Sequence, residues 1–370
     1  MDRRQLVLLV TGALGLVPRS ARAARCLRGP YLQNSAVGSA ELRWELDRLG
    51  ASALELYTGA EPPRKVVSPF DGRHHRVKLT GLRPGEVYHY RLLQGDERVT
   101  DEFSFRATPK GDGRFTFAVF GDFGAGTKGQ KQVAKLLERS RAEFALLTGD
   151  IIYGRGEGEF YDTRFFEPYR KTLPRMNFWP ALGNHDAGTK DGVPELELFD
   201  VPANGPAALQ TGRNYSFDYG HAHFVSFDST ASRTTLERVI GPWLLADLKA
   251  SRQTWKFVFM HHPPFSSAQH GEDPRIRDVM VPFFTRGGAD VVFSGHDHSY
   301  ERIKPKDGVT YVVSGNGGQS LYKHKNPHDY TATFYNEKHG FTEVVLEGRR
   351  FHLRHLNVDG KEVDQVEITK

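Results

Sequence analysis

The chain has 370 residues, 38% hydrophobic and 26% charged, with Gly 38, Pro 20 and no low-complexity tract. That length predicts two domains or three, and that composition excludes a disordered protein. The formal charge of +5 falls to +2 once residues 1–23 are set aside, since these hold Arg3, Arg4, Arg19 and Arg22 against Asp2 and leave 46 basic against 44 acidic side chains. A strongly cationic nucleic-acid binder is therefore excluded.

Asp2-Arg3-Arg4 precedes an apolar run from Leu6 to Val17, then Pro18 and the small-residue site Ala21-Arg22-Ala23. This charged, apolar, cleavable order predicts an export signal over residues 1–23 and a periplasmic or secreted product. The run is shorter than the ~20 residues a membrane-spanning helix needs, and no other stretch approaches that length, so no stable membrane insertion is expected after cleavage. Arg3-Arg4 also resembles a twin-arginine signal, which exports folded proteins. The single cysteine, Cys26, excludes an internal disulfide and a four-cysteine zinc site.

Residues 26–110 read as a small all-β domain. Short alternating stretches recur at 40–44, 53–57, 75–79 and 87–92, separated by turn residues and without helical period. The segment Leu82-Arg83-Pro84-Gly85-Glu86-Val87-Tyr88-His89-Tyr90, with Trp44 on an earlier strand, resembles the tyrosine-corner strand of fibronectin type III sandwiches. No catalytic constellation falls here, so a structural or docking role is expected. Ala107 to Gly113 reads as a linker.

From Phe115 the pattern changes to buried apolar runs, each ending in a polar cluster. Phe115–Phe120 leads into Gly121-Asp122-Phe123-Gly124, and Phe144–Leu147 into Gly149-Asp150-Ile151-Ile152-Tyr153. Phe178–Leu182 leads into Gly183-Asn184-His185-Asp186, Phe257–Met260 into His261-His262-Pro263-Pro264, and Val291–Phe293 into Gly295-His296-Asp297-His298. Helical patterns lie between some of them, at Val133, Leu136 and Leu137 and at Trp243, Leu244, Leu245 and Leu248. Strand-then-helix alternation predicts an α/β domain over 114–370, with the clusters converging beyond the carboxyl ends of strands. Asp, Asn, His and Tyr are oxygen and imidazole donors suited to Fe, Zn or Mn. They are too many for one tetrahedral ion and too rich in histidine for a calcium cage, which leaves two neighbouring metals as the economical explanation.

This ordered set resembles the calcineurin-like metallophosphoesterases. Tyr153, three residues after Asp150, and the His298-Ser299-Tyr300-Glu301-Arg302 extension are similar to the purple acid phosphatase branch, whose architecture also has an N-terminal fibronectin-like domain. The resemblance spans roughly residues 28–350. It implies two sheets flanked by helices, and one metal, Fe(III), bound by Asp122, Asp150, Tyr153 and His298. A second, divalent ion (Zn, Mn or Fe) would be bound by Asp150, Asn184, His261 and His296, with Asp150 bridging. It further implies hydrolysis of small phosphomonoesters at acid pH, by in-line attack of a metal-bound hydroxide. His185 is expected to face the substrate, and His270 to protonate the leaving group. A phosphodiesterase or nucleotide hydrolase on the same centre is the alternative. His262 reads as supporting rather than ligating, Asp297 as facing away, Asp186 as orienting His185 or shaping its turn, and His324 and His328 as loop residues. The specificity loops, about 155–175, 188–212 and 265–278, carry no readable substrate code.

Overall fold

The computed structural model describes residues 24–59 and 61–370. The expected export signal over residues 1–23 lies outside the described residues. No helix among these is long and apolar enough to cross a membrane.

The N-terminal β-region is built from the alternating stretches. A three-stranded antiparallel sheet of Cys26–Ala36, Ser39–Leu46 and His74–Thr80 faces a second sheet of Arg64–Asp71, Ala51–Tyr57, Val87–Gln94, Glu97–Arg98 and Phe103–Arg106. Period-2 alternation sends Leu42, Trp44, Leu54, Leu56, Val77, Leu79, Tyr90 and Leu92 into one shared core. The Tyr88 hydroxyl accepts a hydrogen bond from the Arg83 amide at 2.9 Å, reaching back five residues as a tyrosine corner does.

The larger unit has two sheets stacked face to face. One runs in the order Asn177–Pro180, Phe144–Leu147, Phe115–Phe120, Gly340–Glu347, Arg350–Asn357, Glu362–Thr369. Its first three strands are parallel and the rest antiparallel. The other runs Tyr215–Tyr219, Ala222–Ser226, Trp255–Phe259, Val291–Ser294, Thr310–Ser314, Tyr300–Ile303, Thr331–Tyr335, with a parallel centre. Strands buried on both faces read as continuous apolar runs, which is why Phe115–Phe120 and Val291–Ser294 show no alternation.

Aromatic rings fill the space between the sheets. Phe117 stacks on Phe144 at 5.1 Å, Phe224 on Phe257 at 5.0 Å, and Trp179 on Phe217 at 3.9 Å. Such rings bury ~150–250 Å² each and join the sheets into one stiff block. Helices cover the outer faces. Helix α1 (Lys128–Arg139) buries Val133, Ala134 and Leu137 against the first sheet, and Gly241–Ala250 and Val281–Gly287 cover the second. The result is the expected N-terminal β-region followed by an α/β unit of two sheets flanked by helices.

The two parts are firmly joined. The Leu32 amide donates to the Leu173 carbonyl at 3.0 Å, Ser35 amide and hydroxyl donate to Asn177 Oδ1 at 3.0 and 3.1 Å, and Tyr90 donates to the Pro174 carbonyl at 2.8 Å. Arg28 pairs with Asp162 at 2.7 Å.

Candidate metal centre

All five polar clusters follow the carboxyl ends of parallel strands, drawn from both sheets, and meet at one rim. The chain turns sharply there. Asp122, Asp150 and His296 have φ of 57°, 52° and 69°, the left-handed region that few non-glycine residues occupy. Backbone strain of this kind concentrates at functional sites. Glycine makes the crowding possible at Gly183, where a Cβ would fall 2.2 Å from the amide nitrogen and Oδ1 of Asp150.

Seven expected donors gather in two sets. In the first, Tyr153 Oη lies 3.1 Å from Asp122 Oδ1 and 2.8 Å from His298 Nε2, with Asp122 Oδ1 3.6 Å from His298 Nε2. In the second, His261 Nε2 lies 2.9 Å from Asn184 Oδ1, 3.4 Å from Asp150 Oδ1 and 3.2 Å from His296 Nδ1. Asp122, Asp150 and His261 offer donor atoms mutually within 4.8 Å, so the two sets adjoin at Asp150.

The protons identify what these atoms face. His261 Nδ1 donates to the Thr148 carbonyl and His298 Nδ1 to the Ser320 carbonyl, both at 2.8 Å. Each ring therefore turns a bare Nε2 inward, the arrangement by which a second hydrogen bond fixes the tautomer of a metal-binding histidine. The His261 nitrogen then opposes the Asn184 and Asp150 oxygens, and the His298 nitrogen the Asp122 carboxylate, with the Tyr153 hydroxyl beside the last two. Acceptor against acceptor is repulsive unless positive charge lies between them. These residues thus fit a pair of cations, the first set hard and anionic, the second richer in imidazole.

The electrostatics agree. Burial, then the Asp150 carboxylate, pushes the Asp122 carboxyl well above its ordinary value. Burial, then Asp122 and Asp150, does the same to the Tyr153 phenol. Burial lowers His298 to about 4, and burial followed by neighbouring histidines drives His296 down. Bound cations reverse this logic for the acids and favour their charged forms.

His185 and His270 stand beside this centre. His185 Nδ1 donates to the Gly154 carbonyl at 2.7 Å, leaving Nε2 3.9 Å from Asp150 Oδ2 on a ring that is 37% exposed. The His270 ring stacks on His296 at 4.4 Å.

Asp186 makes no hydrogen bond to the His185 ring. It accepts the amides of Ile151, Ile152 and Gly183 at 3.1, 3.0 and 3.1 Å, fastening two donor loops together. His262 is buried, bonds Ser229 Oγ at 2.9 Å, and lies near enough to His261 and His296 to form a further possible donor group. His324 and His328 stack on Phe334 and Tyr330 in the polar loop.

Sequence reasoning missed how the His270 loop is held. Asp297 does face away from the donors, but it accepts Ser266 Oγ at 2.6 Å, the His270 amide at 2.8 Å and the Gly271 amide at 3.0 Å. Glu301 accepts the Ser267 amide and hydroxyl at 2.8 and 2.7 Å. Tyr322 was also missed, with its ring stacked on His298 at 3.9 Å.

Fold and donor geometry together define a two-sheet α/β unit whose rim gathers metal-type donor atoms in two adjoining sets. Residues 115–300 match the family model for the calcineurin-like phosphoesterases. The chain belongs to that family and is a metal-dependent phosphoester hydrolase. It is 29% identical over 306 residues to purple acid phosphatase 21 of Arabidopsis thaliana, covering 76% of this chain and 67% of that protein. It is 25% identical over 338 residues to the phosphoenolpyruvate phosphatase of Allium cepa, covering 79% and 68%. The chain thus spans about two thirds of the length of these curated relatives. Among solved structures, purple acid phosphatase PPD1 from yellow lupin (Lupinus luteus) seeds superposes with a TM-score of 0.76 at 20% identity, covering 94% of this chain and 74% of that one. PhoD superposes with a TM-score of 0.68 at 13% identity, covering 92% and 88%.

Proposed function

We propose that this protein is an exported acid phosphatase of the purple acid phosphatase branch that hydrolyses small phosphomonoesters on two cations. Asp122, Asp150, Tyr153 and His298 would hold one ion, and Asp150, Asn184, His261 and His296 the other. The observation that carries this reading is the pair of inward-facing acceptor sets meeting at Asp150. Two carboxylates and a phenolate suit Fe(III), while imidazoles with an amide suit Zn, Mn or Fe(II). Such a pair supplies charge neutralisation for the phosphoryl oxygens and a nucleophile for in-line displacement.

The chain's own side chains do the rest. With Nδ1 committed to the Gly154 carbonyl, His185 can offer Nε2 to a phosphoryl oxygen. His270, stacked over His296 with its amide tied to Asp297, is positioned to hand a proton to the leaving oxygen. A protonated histidine in that role favours acid pH.

Residues 1–23 are read as the export leader, 26–110 as a fibronectin type III-like sandwich and 114–370 as the catalytic domain. The facing sheets and the Tyr88 corner support the second of these. The relatives, purple acid phosphatases and a phosphoenolpyruvate phosphatase, support a monoester substrate.

Elemental analysis, a visible spectrum and parallel turnover of monoester and diester substrates test the reading together. The expected result is two ions per chain including iron, a visible band from Tyr153 on Fe(III), and faster monoester hydrolysis. Colourless protein with both ions bound under oxidising conditions removes it from the purple branch. Preference for diesters replaces the monoesterase reading with a phosphodiesterase.

A further inference from the structure

We propose that the exposed face of α1 is a binding surface for an extended, phosphate-based chain polyanion, separate from the metal centre. Lys128, Lys131, Lys135 and Arg139 follow one another at spacings of three, four and four residues, which sets them along a single helical face. All four are exposed, and none forms an ion pair among the described residues. The one nearby acid on the helix, Glu138, is turned to Lys171 at 2.9 Å.

Part of this arrangement opposes the helix that carries it, although Arg139, in the last turn, suits the helix dipole. The first turn holds no acidic residue and begins with Lys128, where the helix dipole favours negative charge. Like charges three and four residues apart repel on the same face. Mutual repulsion along one face, beginning at a cationic first turn, points to a role other than stability.

The surroundings extend the same sign. On one side, a groove of about 570 Å³ between α1 and segment 163–171 is lined by five cations, Lys131, Lys135, Arg164, Arg170 and Lys171, against Glu138 and Glu167. On the other side, a groove of about 470 Å³ carries Arg114, Arg139 and Arg141, its one acid, Glu343, being paired with Arg354 at 2.6 Å. Residues 24–370 hold 46 basic and 44 acidic side chains, so this face reflects segregation of charge rather than a general excess.

The geometry narrows the ligand. Eleven helical rises spread the four cations over ~16 Å, too far to converge on one small anion. The exposed large apolar residues among those described are Leu27, Val37, Leu49, Val67, Phe70 and Val87, none on this face. The face therefore has no side chain to insert among lipids and no exposed ring on which bases stack. What it offers is a line of charge, matched by a phosphate chain without bases.

Long-chain inorganic polyphosphate is the probe, with binding measured at about 0.1 M salt and then across a salt series. It should bind, and orthophosphate at equal total phosphate should not displace it. The variant K131E/K135E/R139E should bind at least about 10-fold more weakly, with a salt slope shallower by about three, one for each lost contact. Turnover of a small aryl phosphate should be unchanged, and K131Q/K135Q/R139Q, with an unaltered circular dichroism spectrum, should lose affinity in the same direction. Wild-type affinity in both variants overturns the proposal, as does displacement by orthophosphate. So does tighter binding to single-stranded DNA or to phosphatidylglycerol vesicles than to polyphosphate. None of these outcomes depends on whether the metal centre hydrolyses monoesters.

Discussion

At the scale of single residues, the centre separates groups that turn donor atoms inward from groups that hold those groups still. His185 belongs to neither set, since its ring is anchored by the Gly154 carbonyl and its Nε2 stands 3.9 Å from Asp150 Oδ2 on a part-exposed ring. Replacing it by alanine should leave both ions bound and lower kcat by ~10²–10⁴-fold, the range for a general acid–base group. Elemental analysis beside steady-state kinetics checks this, and loss of metal would make His185 a ligand instead. Asp297 is a positioning residue for His270. In D297N an amide group must replace an oxygen that now accepts from the loop, so His270 should lose its place over His296. Esters with poor leaving groups, which need that proton, should slow by at least 10-fold, while aryl esters with good leaving groups change little. Equal slowing of both classes would mean general disruption. The donors themselves were legible because each stands in a short cluster with glycine or proline at a strand end. Asp297 and Glu301 were not, because their partners are backbone amides and hydroxyls some 30 residues away, which leave no local pattern.

At the scale of elements, strand type controlled what could be read. Parallel strands buried on both faces announce themselves as apolar runs, and the half-buried strands of the β-region as alternation. Arg64–Asp71 escaped notice because only Ser68 is buried along it, and an edge strand of that kind has neither signature. The C-terminal hairpins Gly340–Glu347, Arg350–Asn357 and Glu362–Thr369 carry no donors and drew no attention, yet they complete half of the first sheet. The turns after the strands are under greater constraint than the strands. A Cβ at Gly183 would meet the Asp150 backbone and carboxylate at 2.2 Å, and neither is a flexible side-chain end. Gly183→Ala should therefore retain its circular dichroism spectrum but bind less than the full metal complement, measured by elemental analysis after gel filtration. Full occupancy in that variant would show that the Asp150 loop can yield.

For the molecule as a whole, pH acts on stability through a group remote from the centre. His223 is buried and held between Asp218 at 2.7 Å and Asp247 at 2.8 Å, joining the edge hairpin to helix Gly241–Ala250. Burial opposes its charge, but hydrogen bonds to the two carboxylates outweigh that and raise it to about 9. A folded value above the unfolded one near 6.5 means the stabilisation is complete below pH ~6.5 and disappears as pH rises through about 9. Its full size is roughly 3 kcal/mol. Thermal melts of the wild type should fall across that window, and His223→Gln should flatten the fall. A wild-type Tm constant from pH 6 to 9 would contradict this.

The seam between the β-region and the hydrolase unit has a practical consequence. Tyr31 sits edge-on to Phe166 at 5.1 Å, and the contacts through Leu173, Pro174 and Asn177 tie down the approach to the strand that delivers Asn184. Trimming the polypeptide to residues 114–370 should bare Phe166 and loosen the approach to Asn184. The two portions are therefore best handled together.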